Sequence, residues 1–316
     1  MSQTLGPLLL CGALLAAAPA AQAAATRTHV SNAGNDANTA FSCDATHPCR
    51  TFAAALTQTT PGGEILAIDS SGYGKVTIDR SVSIIAAPGV FAGIGVGAGG
   101  NATGVEIGTS GVKVVLRGLT ITGQGGTYGI QMFGGDALYL ENCSVTGFAS
   151  PSGVAVAINA PALIRVVDSV IRDNEVGLWP SGGANLAVSR STISGNRWGV
   201  YAHNTVAATT TRAVVSNSTV SGGQFGVSAV SNGAGASVVA ALERTAVSNA
   251  ATTGVLALAA AGSATIALSD SSITGNATGV SNGGGGGTTT VRSAGNNTIT
   301  DNGSNTAGVI SPFAPM

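Results

Sequence analysis

The side chains best suited to ligand binding or chemistry concentrate in two short stretches near the middle of the chain, which also contain both tryptophans. These stretches contribute Arg172, Asp173, Asn174, Glu175, Trp179, Arg197, Trp198, Tyr201 and His203. Aromatic rings offer flat apolar faces, and sugars combine apolar ring faces with hydroxyl edges. Trp179, Trp198 and Tyr201, edged by Glu175 and Arg197, therefore predict a surface that binds polysaccharide.

A structural interpretation explains the same aromatic residues without any ligand. Large rings also cover loops or shield the outer face of a β-sheet from water, and such residues need no binding role. The class of fold does not choose between the interpretations, because function belongs to sites rather than to folds. Both interpretations stay open on the sequence alone.

The composition excludes one class of partner and disfavours one class of fold. Lys and Arg number 13 and Asp and Glu number 14, so the formal net charge is -1 and no nucleic acid or other polyelectrolyte is implied. Charged residues are only 9% of the chain and glycines number 47, which is unlike an ordinary α/β enzyme. The polar surface must instead consist of Ser, Thr and Asn.

A repeat runs through most of the chain and must position the aromatic residues. One apolar column recurs at Ile121, Val145, Ile171, Ile193, Val220, Val247, Ile273 and Ile299. Its intervals average about 25 residues, within the range of solenoid repeats. A second apolar column five residues earlier, and a third short strand entered after a glycine, give three strands per turn. The sequence therefore predicts an all-β fold, a single-stranded parallel β-helix in which equivalent residues stack.

Three polar columns accompany the apolar ones. A Ser/Thr column two residues before the apolar reference is predicted to face inward, and Cys143 replaces a serine in it as a buried, inert thiol. An outward column three residues before the reference predicts ion pairs between Asp168 and Arg190 and between Arg244 and Asp270. An asparagine column three residues after the reference predicts tight corners in which the asparagine adopts the left-handed conformation and the amides are hydrogen-bonded from turn to turn. A ligand-binding amide row is its alternative interpretation.

The two ends of the chain depart from the repeat. Residues 1–23 carry no charged side chain, contain an apolar run and end in small residues, which predicts a cleaved signal peptide. Residues 24–61 are predicted to form an N-terminal cap, with a Cys43–Cys49 disulfide loop and a short helix. Residues 62–310 would form the β-helix and residues 311–316 a tail. No segment is long and apolar enough to span a membrane, so we expect a secreted or periplasmic protein. We also expect a monomer.

Short motifs in the N-terminal half point to a known family. They are Asn35-Asp36, Cys43, Pro48-Cys49-Arg50-Thr51-Phe52, Gly72-Tyr73-Gly74, Val76-Thr77-Ile78 and Ser81-Val82-Ser83-Ile84-Ile85. They resemble the bacterial right-handed parallel β-helix proteins of the pectin-lyase-like superfamily, over about residues 30–310. The resemblance implies a right-handed solenoid with an N-terminal helical cap. Members of the wider superfamily include lyases, hydrolases and esterases that act on polysaccharides, and many proteins with no known activity.

The resemblance also defines what a catalytic site would require. Lyases of this fold hold Ca²⁺ with carboxylates from neighbouring turns and use Arg or Lys as base, and the hydrolases use clustered Asp residues. Acids should then align on successive turns, but Asp173 aligns with Gly147 and Gly195. We therefore predict no catalytic residues, metal or cofactor. If the chain were a lyase or hydrolase, Asp173, Glu175, Arg197 and His203 would be the candidates, with Ca²⁺ only for the lyase.

Three hypotheses of function follow from these residues. The preferred one is a secreted, non-catalytic β-helix that binds extracellular or cell-surface polysaccharide through Trp179, Trp198, Tyr201, Glu175 and Arg197. The second is a polysaccharide lyase or glycoside hydrolase acting on uronate-type polymers. The third is a structural or adhesive spacer, for which the serine- and threonine-rich outer faces suffice.

Overall fold

The structure, a computed structural model, describes residues 24–313 and consists almost entirely of short parallel strands. The predicted signal peptide lies outside the described residues, as do residues 314–316 of the predicted tail. The described part holds a 3₁₀-helix, Asp36–Phe41, and an α-helix, α1, Phe52–Gln58. Within this part no helix is long and apolar enough to cross a membrane.

The strands are short and follow one another in a regular order along the chain. In chain order they are β1 (Ala25–Val30), β2 (Thr59–Ala67), β3 (Ser71–Gly72), β4 (Val76–Ile78), β5 (Val82–Ala86), β6 (Ala92–Gly97), β7 (Thr103–Ile107), β8 (Lys113–Arg117), β9 (Leu119–Gln124), β10 (Tyr128–Met132), β11 (Ala137–Glu141), β12 (Ser144–Thr146), β13 (Val154–Asn159), β14 (Leu163–Val167), β15 (Val170–Arg172) and β16 (Val176–Ser181). The second half continues as β17 (Asn185–Ser189), β18 (Thr192–Ser194), β19 (Trp198–Asn204), β20 (Thr210–Ser216), β21 (Thr219–Ser221), β22 (Phe225–Ser231), β23 (Ser237–Glu243), β24 (Ala246–Ser248), β25 (Thr253–Ala259), β26 (Ser263–Ser269), β27 (Ser272–Thr274), β28 (Thr278–Gly283), β29 (Thr288–Ser293), β30 (Thr298–Thr300), β31 (Ser304–Ala307) and β32 (Ile310–Pro312).

Each turn of the chain contributes one strand to each of three parallel sheets. Sheet 1 has 12 strands, in the order β1, β2, β5, β8, β11, β14, β17, β20, β23, β26, β29 and β32. Sheet 2 has 10 strands, β3, β6, β9 and every third strand to β30, and sheet 3 has 10 strands, β4, β7, β10 and every third strand to β31. The solenoid has about 9 turns of about 26 residues, so the predicted repeat and architecture are confirmed.

The core is a stack of identical positions on successive turns. In sheet 2, Ile121 pairs with Val145, Val145 with Ile171, and Ile171 with Ile193, all four fully buried. Alternate residues of a strand point to opposite faces, so one inward column fixes the register of every strand in the sheet. Each buried Val or Ile contributes roughly 1.5–3 kcal/mol relative to an exposed one.

The inward Ser/Thr column forms a ladder of its own, as predicted. The Ser191 hydroxyl accepts the backbone N–H of Ser169 at 3.1 Å and donates to the carbonyl of Ser189 at 2.9 Å. The same pattern repeats along the column, so hydroxyls satisfy backbone groups that the corner would otherwise leave unpaired inside the core. Cys143 occupies the first place in this column, where burial raises the pKa of its thiol to about 11.

The asparagine column hydrogen-bonds from turn to turn, also as predicted, but the left-handed conformation expected of its asparagines is wrong: the residue before each has the positive φ, as in Asp173 (58°) and Gly195 (64°). Asn196 Oδ1 accepts the backbone N–H of Asn174 at 3.1 Å and its Nδ2 at 2.8 Å, and Asn196 Nδ2 donates to the Ile171 carbonyl at 3.0 Å. The ladder stops at the next turn, where a Cβ on Gly223 would lie 1.7 Å from the Asn196 carbonyl oxygen. A glycine at that corner therefore accommodates the close backbone approach.

The outward column marks a corner in which the backbone is left-handed. Asp168, Arg190, Arg244 and Asp270 all have φ between 47° and 51°. Arg190 Nε lies 2.8 Å from Asp168 Oδ1, as predicted. The predicted pair between Arg244 and Asp270 is wrong: Arg244 pairs with Glu243 and donates to Asn217, while Asp270 accepts from the amide of Asn296 at 2.8 Å. Arg244 is thus satisfied by its sequence neighbour Glu243 and by Asn217 on the preceding turn, and Asp270 by Asn296 on the following turn.

The N-terminal end of the solenoid is covered by α1 and a disulfide loop. The Thr51 side chain caps α1 by accepting the Ala54 N–H at 3.1 Å, and Phe52, Ala55 and Leu56 of the helix are buried. Cys43 and Cys49 are joined by the predicted disulfide. Strand β1 lies within the segment predicted as the cap and pairs with β2, and β32 reaches into the segment predicted as the tail.

The asparagine ladder generates a stability prediction. Asn196→Ala leaves the buried N–H of Asn174 and the carbonyl of Ile171 without their partners, so we expect the free energy of unfolding to fall by about 2–3 kcal/mol. Asn185→Ala, at an exposed asparagine on sheet 1, should change it by less than about 0.5 kcal/mol. Urea unfolding followed by circular dichroism measures both. Equal effects of the two variants would contradict a structural role for the ladder.

Candidate functional site

The aromatic residues lie on the outer face of sheet 3, on strands β16, β19 and β22. Register pairs place Val176 beside Trp198 and Trp198 beside Phe225 on three successive turns. Trp179 follows Val176 by three residues on β16, and Tyr201 follows Trp198 by three residues on β19. The aromatic side chains of both strands are half-buried, so each keeps part of its surface in contact with solvent.

The rings contact one another as a single cluster. Trp198 stacks on Phe225, with ring centroids 4.0 Å apart and an interplanar angle of 16°. Tyr201 lies 4.7 Å from Trp198 and 6.1 Å from Trp179, tilted to both. The predicted neighbourhood of Trp179 and Tyr201 is therefore present, although their rings are inclined by 44° rather than parallel.

A cleft opens beside this cluster, next to strand β13. Val154 on β13 lines it, while Ala157 of the same strand pairs with Trp179 in register. Pro151 and Ser152, in the exposed corner before β13, also line it. The cleft has a volume of about 400 Å³ and is lined by Tyr128, Pro151, Ser152, Val154, Glu175, Val176, Trp179, Trp198 and Tyr201. We call it the aromatic cleft.

Glu175 is the one charged residue that lines the aromatic cleft. Its Oε1 lies 2.5 Å from Arg197 Nη1, and Arg197 Nε donates to Gln224 Oε1 at 3.0 Å. The Glu175 side chain is 17% exposed, whereas that of Arg197 is 50% exposed. The guanidinium holds the carboxylate in place and does not itself line the aromatic cleft.

A second depression, of about 420 Å³, adjoins the aromatic cleft across Glu175. It is lined by Asp173, Asn174, Glu175 and Arg197, among others. Three of the four candidate catalytic residues thus meet in one place. Asp173 is paired with Arg172 at 2.5 Å, and Glu175 with Arg197, so both carboxylates already have a cationic partner.

His203, the fourth candidate, lines neither depression. Its ring stacks on Tyr201 with centroids 5.2 Å apart, and its Nε2 lies 3.2 Å from the amide nitrogen of Asn232. Burial lowers the pKa of the imidazole below its ordinary value, because a charged ring would lose hydration in this position. Burial likewise raises the pKa of the Tyr201 hydroxyl. His203 thus packs against Tyr201 and Trp179 at the edge of the aromatic cluster.

One polar atom of the cluster has no partner. The indole N–H of Trp179 is buried and makes no hydrogen bond to any described residue. An unpaired buried donor costs about 1–3 kcal/mol, which a phenylalanine at the same position would avoid. Tryptophan is therefore not the side chain that stability alone would favour there.

Sequence reasoning missed Tyr128, Pro151, Ser152 and Phe225. Phe225 could have been found, because it follows the reference residue Val220 by five positions, as Trp198 follows Ile193. Tyr128 could not be found at a fixed spacing. The corner between sheets 2 and 3 is longer in the turns before β10 and β13 than in the later turns. Tyr128 and its register partner Val154 therefore follow their reference residues by different numbers of positions.

No group of three or more His, Cys, Asp or Glu side chains that could hold a metal ion occurs among residues 24–313. The arrangement offers instead apolar ring faces, a fixed carboxylate and the Ser152 hydroxyl. These groups suit a ligand with both apolar faces and hydroxyl groups.

Comparison with known proteins places this architecture in a family. The family described as right handed beta helix region matches residues 103–303, and the chain therefore belongs to it. This match confirms the expected handedness. No curated protein matches the chain significantly in sequence.

Two solved structures resemble the fold. The crystal structure of pectate lyase Pel9A is similar with a TM-score of 0.56 and 14% sequence identity, over 91% of this chain and 77% of that one. The crystal structure of the Dettilon tailspike protein gives a TM-score of 0.40 and 12% identity, over 82% of this chain and 63% of that one. At such identities the likeness concerns the fold alone.

The lowered pKa of His203 generates a spectroscopic prediction. The unfolded imidazole titrates near 6.5 and the folded one at lower pH, so His203 leaves stability unchanged above pH 6.5 and destabilises the fold progressively as pH falls from 6.5 to the folded pKa. The imidazolium then lies beside Trp179, at a ring distance of 6.4 Å, and should quench its fluorescence. A titration from pH 8 to 4 should show quenching with a midpoint below 6.5.

The matched control for this titration is a second histidine variant. His203→Ala should abolish the transition, whereas His47→Ala, in the N-terminal cap, should leave it unchanged. Quenching that persists in His203→Ala would show that another group is responsible.

Proposed function

We propose that this chain is a secreted, non-catalytic β-helix protein that binds polysaccharide in the aromatic cleft. The observation that carries the proposal is the convergence of Trp179, Trp198, Tyr201 and Tyr128 on one cleft of about 400 Å³. A sugar ring in this cleft would place its apolar face on the aromatic rings. Its hydroxyl groups would reach Glu175 and Ser152.

The physical basis is the combination of ring surface and one fixed polar group. Stacking on aromatic rings buries apolar surface at low cost in conformational entropy, because tryptophan and tyrosine have few rotatable bonds. Glu175 is already oriented by Arg197, so little further ordering is needed when its carboxylate accepts sugar hydroxyls. Fixed acceptors of this kind give orientation and specificity in pockets that are otherwise apolar.

The unpaired indole N–H of Trp179 favours a binding role over a purely structural one. If the rings served only to shield the sheet, phenylalanine at this position would remove an unsatisfied donor. Three other buried polar atoms, on His29, Ser228 and Asn282, also lack a partner within the described residues and lie outside the aromatic cleft, so this observation supports the proposal without carrying it.

Secretion is supported by the disulfide and by the predicted signal peptide. Disulfides persist in oxidising compartments, and the Cys43–Cys49 bridge closes a loop in the N-terminal cap. The predicted signal peptide, residues 1–23, would direct the chain to such a compartment. Extracellular or cell-surface polysaccharide is the partner that this location supplies.

A lyase or glycoside hydrolase is the second candidate, because Asp173, Glu175 and Arg197 line one depression. The proposal of binding without catalysis rests on the ion pairs that occupy both carboxylates. A lyase would also need Ca²⁺ held by these acids. Assays on uronate and neutral polymers for unsaturated products at 235 nm or new reducing ends, with and without Ca²⁺, separate the two candidates, and turnover lost in Glu175→Gln would establish the enzyme.

The binding proposal predicts the effect of removing one ring. Trp179→Ala should weaken binding to the recognised polysaccharide at least about 30-fold, as expected when a central aromatic contact is lost. Trp179→Phe should retain part of the affinity, and should be at least as stable as the wild type. Affinity electrophoresis and isothermal titration calorimetry with soluble polysaccharides measure these changes.

The matched control is Tyr139→Ala, at a half-buried tyrosine on the outer face of sheet 1. This variant should bind as the wild type does. Absence of binding by the wild type to a broad glycan array would refute the proposal and leave the spacer hypothesis.

A further inference from the structure

Another cleft, distinct from the two depressions beside Glu175, lies on the outer face of sheet 3 beside the capping helix α1. It has a volume of about 580 Å³ and is formed by α1, β4, β7 and the segments next to them. Its lining includes Lys75, Thr77, Asp79, Arg80, Asn101, Thr103 and Glu106. We call it the polar cleft. No aromatic ring lines it, and hydroxyl, amide, carboxylate and cationic groups stand beside the apolar side chains of Ala53, Leu56, Val76 and Ala102.

The polar cleft and the aromatic cleft meet at adjacent turns. Thr103 on β7 lines the polar cleft and pairs in register with Tyr128 on β10, which lines the aromatic cleft. The Thr103 hydroxyl also lies 3.3 Å from Gln131 Oε1, on the same strand as Tyr128. Glu106, in the polar cleft, pairs in register with Gln131. A row of polar side chains therefore connects the two clefts.

The row follows the axis of the solenoid. Strands β4, β7, β10, β13, β16 and β19 are consecutive in sheet 3, and they carry the linings of both clefts. Parallel strands are about 4.8 Å apart, so the outermost two are separated by roughly 24 Å. A pyranose unit in a linear glycan is about as long as one strand spacing, so the row matches roughly five or six units.

The charges along this row are balanced. Lys75 and Arg80 face Asp79 and Glu106 in the polar cleft, and Arg197 faces Glu175 at the aromatic cleft. Arg80 is held by Asp79, with Nε at 2.8 Å from Oδ1. Lys75 and Glu106 form no ion pair within the described residues. A polymer with a carboxylate on every sugar would therefore gain no net attraction along its length, because Asp79, Glu106 and Glu175 offset the three cations.

We propose that the two clefts form one elongated site for a single linear, uncharged polysaccharide that lies along the solenoid axis. The aromatic cleft stacks against sugar rings near one end of the bound segment. Lys75 and Glu106 hydrogen-bond to the hydroxyls of sugars near the other end. This inference rests on the proposed function and names its ligand class.

The experiment is a chain-length series with a defined probe. Wild-type protein is first screened by affinity electrophoresis against mixed-linkage β-glucan, galactomannan, xylan, polygalacturonate and alginate. Oligosaccharides of two to eight units from the neutral polymer that retards the protein most are then titrated by calorimetry. We expect the affinity to rise at least about tenfold between four and eight units, and retardation by the two uronates to be weaker.

Two variants of the polar cleft test whether it is the source of the higher affinity for longer oligosaccharides. Lys75→Ala and Glu106→Gln should remove most of the gain from longer oligosaccharides and leave the affinity for the four-unit chain unchanged. Trp179→Ala should weaken binding of both lengths. Lys113→Ala, at an exposed lysine on sheet 1, is the matched control and should behave as the wild type.

The outcomes separate the two proposals. If no polymer binds to the wild type, the proposed function itself fails. If short chains bind and lose affinity in Trp179→Ala, but eight units bind no better than four, only the elongated site is refuted. A gain with length that survives both Lys75→Ala and Glu106→Gln also refutes it, and tighter binding of the uronates refutes the uncharged ligand class.

Discussion

The parallel pairing of each turn with the next is the constraint on which the rest of the molecule depends. Every strand in the interior of a sheet has neighbours about 4.8 Å away on both sides, so equivalent residues must be compatible with copies of themselves. Apolar residues satisfy this condition by stacking, as Ile171 and Ile193 do. Buried polar residues meet this condition only if each side chain can both donate and accept hydrogen bonds. Hydroxyl and amide side chains can do so, and they form the buried ladders.

The same constraint explains how a site can arise on a repetitive surface. Two substitutions on consecutive turns become direct neighbours without any change in the backbone. Trp198 and Phe225 are stacked because one turn separates them, and Trp179 and Tyr201 meet for the same reason. The cleft beside these rings also takes lining residues from the adjacent strand β13 and the corner before it, such as Val154 and Pro151. A few departures from the repeat are therefore sufficient to build a cleft on a rigid frame.

The periodic features could be predicted from the sequence, and the aperiodic ones could not. The core columns, the Ser/Thr ladder and the Asn174–Asn196 amide pair follow from spacing, because stacking turns a constant interval into contact. The partner of Arg244 and the position of Tyr128 do not follow from it. A long exposed side chain can turn to either neighbouring turn, and corners of unequal length shift the spacing on which alignment depends.

The weakness of charge in this chain bears on what its surface can recognise. A solenoid that carries only 9% charged residues has no strong field with which to attract a polyelectrolyte. Recognition must then come from shape, from ring surface and from hydrogen bonds to groups that are already oriented. Rigid turns supply such orientation at little entropic cost, since the rings and the Glu175–Arg197 pair are positioned before any ligand arrives. The proposed ligand, an uncharged and hydroxyl-rich polymer, is one that can be recognised in this way.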